Sequence, residues 1–170
     1  LLWEQPWRLF TSIFAHASIG HLLSNIFALG LFGLIIEGRV GPKRTLWLFL
    51  ASGILINLFT PYERSLGASG AIFSILGVLI ILRPWMLVWV QYVPMPMVLA
   101  GVIWTILDII GVFLPSNVGN IAHITGLVLG LVAGLFWKKD YGDEWLHPTR
   151  KQNHSLEKEI DEYERSVGLR

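Results

Sequence analysis

The sequence predicts an all-α polytopic membrane helix bundle, and three observations carry that prediction. First, 54% of the 170 residues are hydrophobic and only 15% are charged, against about 25% in a soluble domain. A soluble core of this length has no room for so much apolar surface. Second, apolar runs near the ~20 residues needed to cross about 30 Å of hydrocarbon recur along the chain, separated by proline-marked turns. Third, charge is segregated: Leu1–Trp137 carries 6 basic and 4 acidic residues, whereas Lys138–Arg170 carries 7 basic and 8 acidic. The chain thus divides into a membrane domain, Leu1–Trp137, and a charged tail, Lys138–Arg170. Other classes are excluded on the same numbers. Disorder and collagen need fewer large apolar residues. With no Cys there is no disulfide scaffold, thiol nucleophile or cysteine zinc site. A net charge of +1 gives no nucleic-acid footprint.

Taken in order, Leu1–Gly20 is expected in the membrane interface, with Trp7, Phe10, Ile13 and Phe14 partitioning there and Arg8 reaching phosphates. Five spans follow: His21–Ile36, Thr45–Phe59, Leu66–Leu82, Met97–Leu114 and Val118–Trp137. The first two are short, which implies bilayer thinning or helix ends buried in protein. Gly41-Pro42, Pro61, Pro84, Pro94, Pro96 and Pro115 punctuate them, because proline lacks an amide donor and disfavours helix at the residue before it. Trp85–Tyr92 is too short to span. It reads as an interfacial segment or an extension of the fourth span, with Trp85, Trp89 and Tyr92 at headgroup level. Arg39, Lys43, Arg44, Arg83 and Lys138-Lys139 fall in alternate loops, which makes those loops cytoplasmic and leaves Leu1–Gly20 outside. An external start with no preceding span predicts an upstream helix, hence at least six spans in the full protein. In the cytoplasmic tail, Leu156, Ile160 and Tyr163 share one helical face, either of a solvated helix or of a partner-binding one.

Polar residues inside spans are costly and must face protein or water. Three groups converge. Gly67-Ala68-Ser69-Gly70 opens the third span, placing Ser69 in a first turn where amides are unpaired. Its small residues serve helix packing equally well. His123, in Ala122-His123-Ile124-Thr125-Gly126, lies about 20° in azimuth from both Gly130 and Gly134. It is therefore on a close-packing face, as a structural hydrogen-bonder or as a base. His21 and Asn25 share a face at i, i+4, with His16 nearby. They are fixed donors suited to an oxyanion or, less supported by spacing, metal ligands. A serine hydroxyl needs a neutral imidazole to take its proton, so Ser69 and His123 form an economical dyad. Asp108, read as mid-span, is not expected at their depth, and Thr105 one turn earlier offers it a hydrogen bond. Asn57 has no assigned role.

These residues resemble the rhomboid family of intramembrane serine proteases, from Trp7 to about Trp137. Trp7-Arg8 is similar to the family's W-R motif, and His16-x4-His21-x3-Asn25 to its histidine–asparagine pattern. Gly67-Ala68-Ser69-Gly70 matches G-x-S-G, and Ala122-His123-x2-Gly126 matches A-H-x-x-G. The resemblance implies a six-helix core whose first helix is missing from this chain. It implies Ser69 as nucleophile, His123 as general base, and Asn25 and His21 in the oxyanion hole. His16 would organise the external loop, Phe73 would pack on the imidazole, and Asn120 would line the site. Gly67 and Gly126 belong to the supporting motifs, and Glu37 with Arg39 resembles a structural polar pair. It further implies cleavage of transmembrane protein substrates within the lipid bilayer, with Leu114–Asn120 as a lid and no metal or other cofactor. Inactive relatives such as derlins lack the serine or the histidine, and both are present here. The alternatives are a catalytically silent binder of transmembrane clients, or a small transporter using His and Asp108. The sequence does not set the substrate or the oligomeric state.

Overall fold

The computed structural model describes residues 4–59, 66–90, 92–114, 119–141, 158 and 161–166. Helix α1 is a single turn, Arg8–Thr11, and α2 runs from Ile19 to Val40. Ser18 is extended and its hydroxyl accepts from the His21 N–H at 3.1 Å, satisfying one of the donors a helix start leaves open. Gly41, with φ of +86°, is all that separates α2 from α3, Pro42–Phe59. A side chain at that φ is strained, and Pro42 sits where its missing N–H costs nothing. The first two spans are therefore not short: α2 has 22 residues and α3 has 18. Glu37, Arg39, Lys43 and Arg44 end the apolar runs without ending the helices, so length demands no thinning of the bilayer.

Helix α4, Ser69–Leu82, is the centre of the bundle. Ser74, Ile75, Val78 and Leu79 are wholly buried in it. Its 14 residues give about 21 Å, less than a hydrocarbon core but admissible for a helix enclosed by protein. Ser52 of α3 and Ser74 share a buried hydrogen bond of 2.8 Å, and Ser74 also donates to the Ala71 carbonyl. Helix α5 is Met97–Val112 and α6 is Asn120–Tyr141. Helix α6 makes α4's most extensive contact. Cβ atoms at Gly126 and Gly130 would collide with the backbone carbonyls of Gly70 and Ser74, so the glycine stripe is what lets the two backbones approach.

Between α4 and α5 the structure departs from expectation. Strands β1, Leu87–Val90, and β2, Val93–Pro96, pair antiparallel with Leu87 opposite Pro96 and Val90 opposite Val93. The alternative that Trp85–Tyr92 extends the fourth span is overturned: Pro94 and Pro96 disfavour helix, while alternation of Val88 (buried) with Leu87 and Trp89 (exposed) suits a pleat. The hairpin clasps the start of α5, since Met97 N–H donates to the Met86 carbonyl and Val98 N–H to that of Pro84.

The segment before α2 is also better anchored than predicted. Trp7, Phe10 and Phe14 are exposed, but Ile13 is buried against Gly53 of α3. Asn57 of α3 donates to the Leu9 carbonyl (2.9 Å) and to Ser12 Oγ (2.8 Å). Gly67 N–H donates to the Ser12 carbonyl at 2.9 Å. Asn57 thus ties the segment to the bundle. At the opposite end, the Arg39 guanidinium donates to the Tyr141 carbonyl, and Arg44 pairs with Asp140 at 3.7 Å. Broad apolar faces stay exposed, including Leu23, Ile26, Phe27 and Leu34 on α2 and Val102, Ile106, Leu107 and Ile110 on α5. An aqueous surface does not carry apolar patches of that extent, and a bilayer requires them. In the tail, residues 161–166 are helical, while Leu156 and Ile160 lie outside the described residues.

Candidate active site

Ser69 is the first residue of α4 because Gly67, at φ +112°, turns the chain into the helix. His123 lies one turn into α6, its N–H bonded to the Gly119 carbonyl at 3.0 Å. The close α4–α6 contact brings Ser69 Oγ to 2.8 Å from His123 Nε2. Phe73, one turn after Ser69, lies flat on the imidazole with centroids 4.2 Å apart and planes within 5°.

A cavity of about 500 Å³ opens beside this pair, lined among others by Ser69, His123, His21, Asn25 and Gly67. Asn25 is buried, and its Nδ2 has no hydrogen-bond partner among the described residues. A Cβ on Gly67 would fall 2.8–2.9 Å from the His21 ring and 3.5 Å from Asn25 Nδ2. Both donors thus face the loop that delivers Ser69. His16 meets the His21 ring edge-on at 5.0 Å and bonds the Phe14 carbonyl through Nδ1 at 3.1 Å. Gly126 lies under the site, against the Gly70 carbonyl.

Two expectations need correction. Asn120 is buried, but it packs under Gly111 of α5 and is not among the cavity-lining residues. Asp108, read as lying at the wrong depth, has Oδ1 3.0 Å from His123 Nδ1. Thr105 does not hold it, since that hydroxyl donates to the Gly101 carbonyl in its own helix at 2.7 Å. The spacing was there to find. Asp108 stands four residues before the end of α5 and His123 three after the start of α6, and consecutive antiparallel helices place such positions at one level. Most of the proposed lid, residues 115–118, lies outside the described residues. Among the described residues no group of three or more His, Asp or Glu is placed to hold a metal ion.

Fold and site together define a polytopic helical membrane protein whose serine and histidine meet beside a cavity at one end of the bundle. The chain belongs to the rhomboid family: the Rhomboid domain model matches residues 3–139. RHOMBOID-like protein 1 of Arabidopsis thaliana is 33% identical over 145 residues, covering 82% of this chain and 37% of its own. The rhomboid protease GluP of Bacillus subtilis is 38% identical over 136 residues, covering 75% of this chain and 25% of its own. The putative rhomboid protease YdcA of Bacillus subtilis is 32% identical over 131 residues, covering 74% and 64%. The chain thus spans less than half the length of the first two of these relatives.

Proposed function

We propose that this protein is an intramembrane serine endopeptidase that cleaves transmembrane-helix substrates, with Ser69 as nucleophile and His123 as general base. The observation that carries the reading is the 2.8 Å contact between Ser69 Oγ and His123 Nε2 at a cavity. A serine hydroxyl attacks an amide only when a base within reach removes its proton. Ser69 Oγ bonds to the scissile carbonyl carbon as its proton passes to Nε2. The oxyanion takes hydrogen bonds from Asn25 Nδ2, the His21 ring and the Ser69 backbone N–H, an assignment supported by the buried, unpartnered amide of Asn25. Such donors are effective because they are fixed before charge develops. His123 then gives its proton to the leaving amine as the C–N bond breaks, and water cleaves the acyl-enzyme by the same route.

A helical amide is hydrogen-bonded and shielded, so the substrate must unwind at the cavity. An orientation with the site toward the extracytoplasmic face and the tail in the cytoplasm is supported by the basic residues Arg39, Lys43, Arg44, Lys138 and Lys139 at the bundle end opposite Ser69, under the positive-inside rule. The test uses the full-length protein in detergent with a fluorescent transmembrane peptide. Ser69→Ala and His123→Ala abolish cleavage, and a fluorophosphonate adds its mass to Ser69 in wild type but not in His123→Ala. Equal cleavage by wild type and Ser69→Ala overturns the reading, and an intact fold that neither cleaves nor labels identifies a silent binder.

A further inference from the structure

We propose that Asp108 is a positioning residue for His123, holding the imidazole of the Ser69–His123 pair from its far nitrogen. The proposal rests on the protease reading above. Its physical basis is the carboxylate itself. Asp108 is 7% exposed and is the one charged residue of α5. An acid is expensive in such a place, so it persists where a partner or a function holds it. Its Oδ1 lies 3.0 Å from His123 Nδ1, and the two side chains are 10% and 12% exposed. The one hydroxyl near it in sequence, Thr105, is spent on Gly101.

The consequence is a choice of tautomer. An ionised carboxylate only accepts hydrogen bonds, so His123 must carry its hydrogen on Nδ1. The lone pair then sits on Nε2, 2.8 Å from Ser69 Oγ, which is the nitrogen that has to take the proton. Phe73, stacked on the ring, fixes its plane, and Asp108 fixes its rotation within that plane. When the Ser69 proton reaches Nε2 the ring becomes a cation with hydrogen on both nitrogens. Asp108 stays ionised and balances that charge, and no proton leaves Nδ1. Among the described residues, His21 of α2 is the other ionisable side chain lining the cavity with His123. Within α4, Ser69–Leu82, there is no charged side chain, and the charges of α3, Lys43 and Arg44, lie at its far end.

The test compares Asp108→Asn and Asp108→Glu with wild type, Ser69→Ala and His123→Ala in the full-length protein, in detergent. Asp108→Asn keeps the side-chain volume and removes the charge. The expected result is a fall in kcat of about 10²-fold or more, with KM unchanged because the carboxylate does not touch substrate. Asp108→Glu recovers part of the loss. Nitrogen-15 histidine spectra, assigned by difference against His123→Ala, show neutral His123 protonated on Nδ1 in wild type and shifted toward the Nε2 tautomer in folded Asp108→Asn, in step with the loss of kcat. Wild-type kcat in Asp108→Asn, with Ser69→Ala and His123→Ala inactive, overturns the proposal and leaves the dyad standing. A loss of activity that only tracks the fraction of folded protein, or an Nε2-protonated His123 in wild type, overturns it too. Cleavage by Ser69→Ala removes the protease reading and this proposal with it.

Discussion

At His123 three independent contacts restrict one imidazole: Ser69 on Nε2, Asp108 on Nδ1 and Phe73 on its face. The stacking partner also packs against the buried core. Phe73→Ala is expected to remove a contact of about 0.5–1.5 kcal/mol, and so to lower kcat roughly two- to tenfold, and to lower the melting temperature through lost core packing, read by peptide cleavage and circular dichroism. Asn25→Ala removes a proposed oxyanion donor and is expected to lower kcat by about 10²-fold without preventing fluorophosphonate binding to Ser69. Asn57 is a different case. Its amide holds Leu9 and Ser12, so Asn57→Ala leaves those acceptors without a partner and costs about 1–3 kcal/mol of stability, visible as a lower melting temperature. Ser69 and His123 are legible in the sequence because each sits within a small-residue motif, Gly67–Gly70 and Ala122–Gly126, and Phe73 is named only through the family resemblance. Asn57 is not legible, because its partner Leu9 lies 48 residues back in the chain with no motif to mark it, and Asp108 emerges only when depth is counted from the helix ends rather than from the middle of the span.

Among the elements, the α4–α6 pair sets the geometry of the site. Two glycines in helices make a matched test. At Gly130 an added Cβ meets the Ser74 backbone carbonyl, which cannot turn aside, whereas at Gly30 it meets nothing within 4 Å. Gly130→Ala is expected to push the helices apart, lose about 1–3 kcal/mol of stability and lower activity by drawing Ser69 from His123. Gly30→Ala is expected to be neutral or to stabilise by up to about 1 kcal/mol. Thermal melts and cleavage rates of the two variants check both. The glycine stripe was readable from its spacing, since Gly126, Gly130 and Gly134 recur every fourth residue. The β1–β2 hairpin was not, because its aromatic, β-branched composition suits a headgroup-level helix end as well as a pleat. What decides is pairing across Pro94 and Pro96, a contact that no local pattern displays.

For the whole molecule, the apolar faces of α2 and α5 and the segregation of charge make a bilayer the solvent of the fold. The chain has no Cys, so single cysteines report side without background. With a membrane-impermeant maleimide on intact cells, Ala17→Cys is expected to react from outside and Lys139→Cys only after lysis. The reverse pattern sinks the proposed orientation, though not the site. Span number and order were legible because hydrophobic length is a local property. Helix ends were not, since charges such as Glu37 and Arg39 close an apolar run while the backbone continues helical to Val40.

The hairpin clasp has a mechanical consequence. It pins the first turn of α5 to the end of α4 through Met86 and Pro84, making that helix a lever with its pivot at the end away from Ser69. Asp108 lies eleven residues along it, about 16 Å from the pivot. A tilt of about 10° would carry it by roughly 3 Å over that arm, as far as the 3.0 Å that now separates it from His123. A tilt of that size away from α6 is therefore expected to separate the carboxylate from the imidazole.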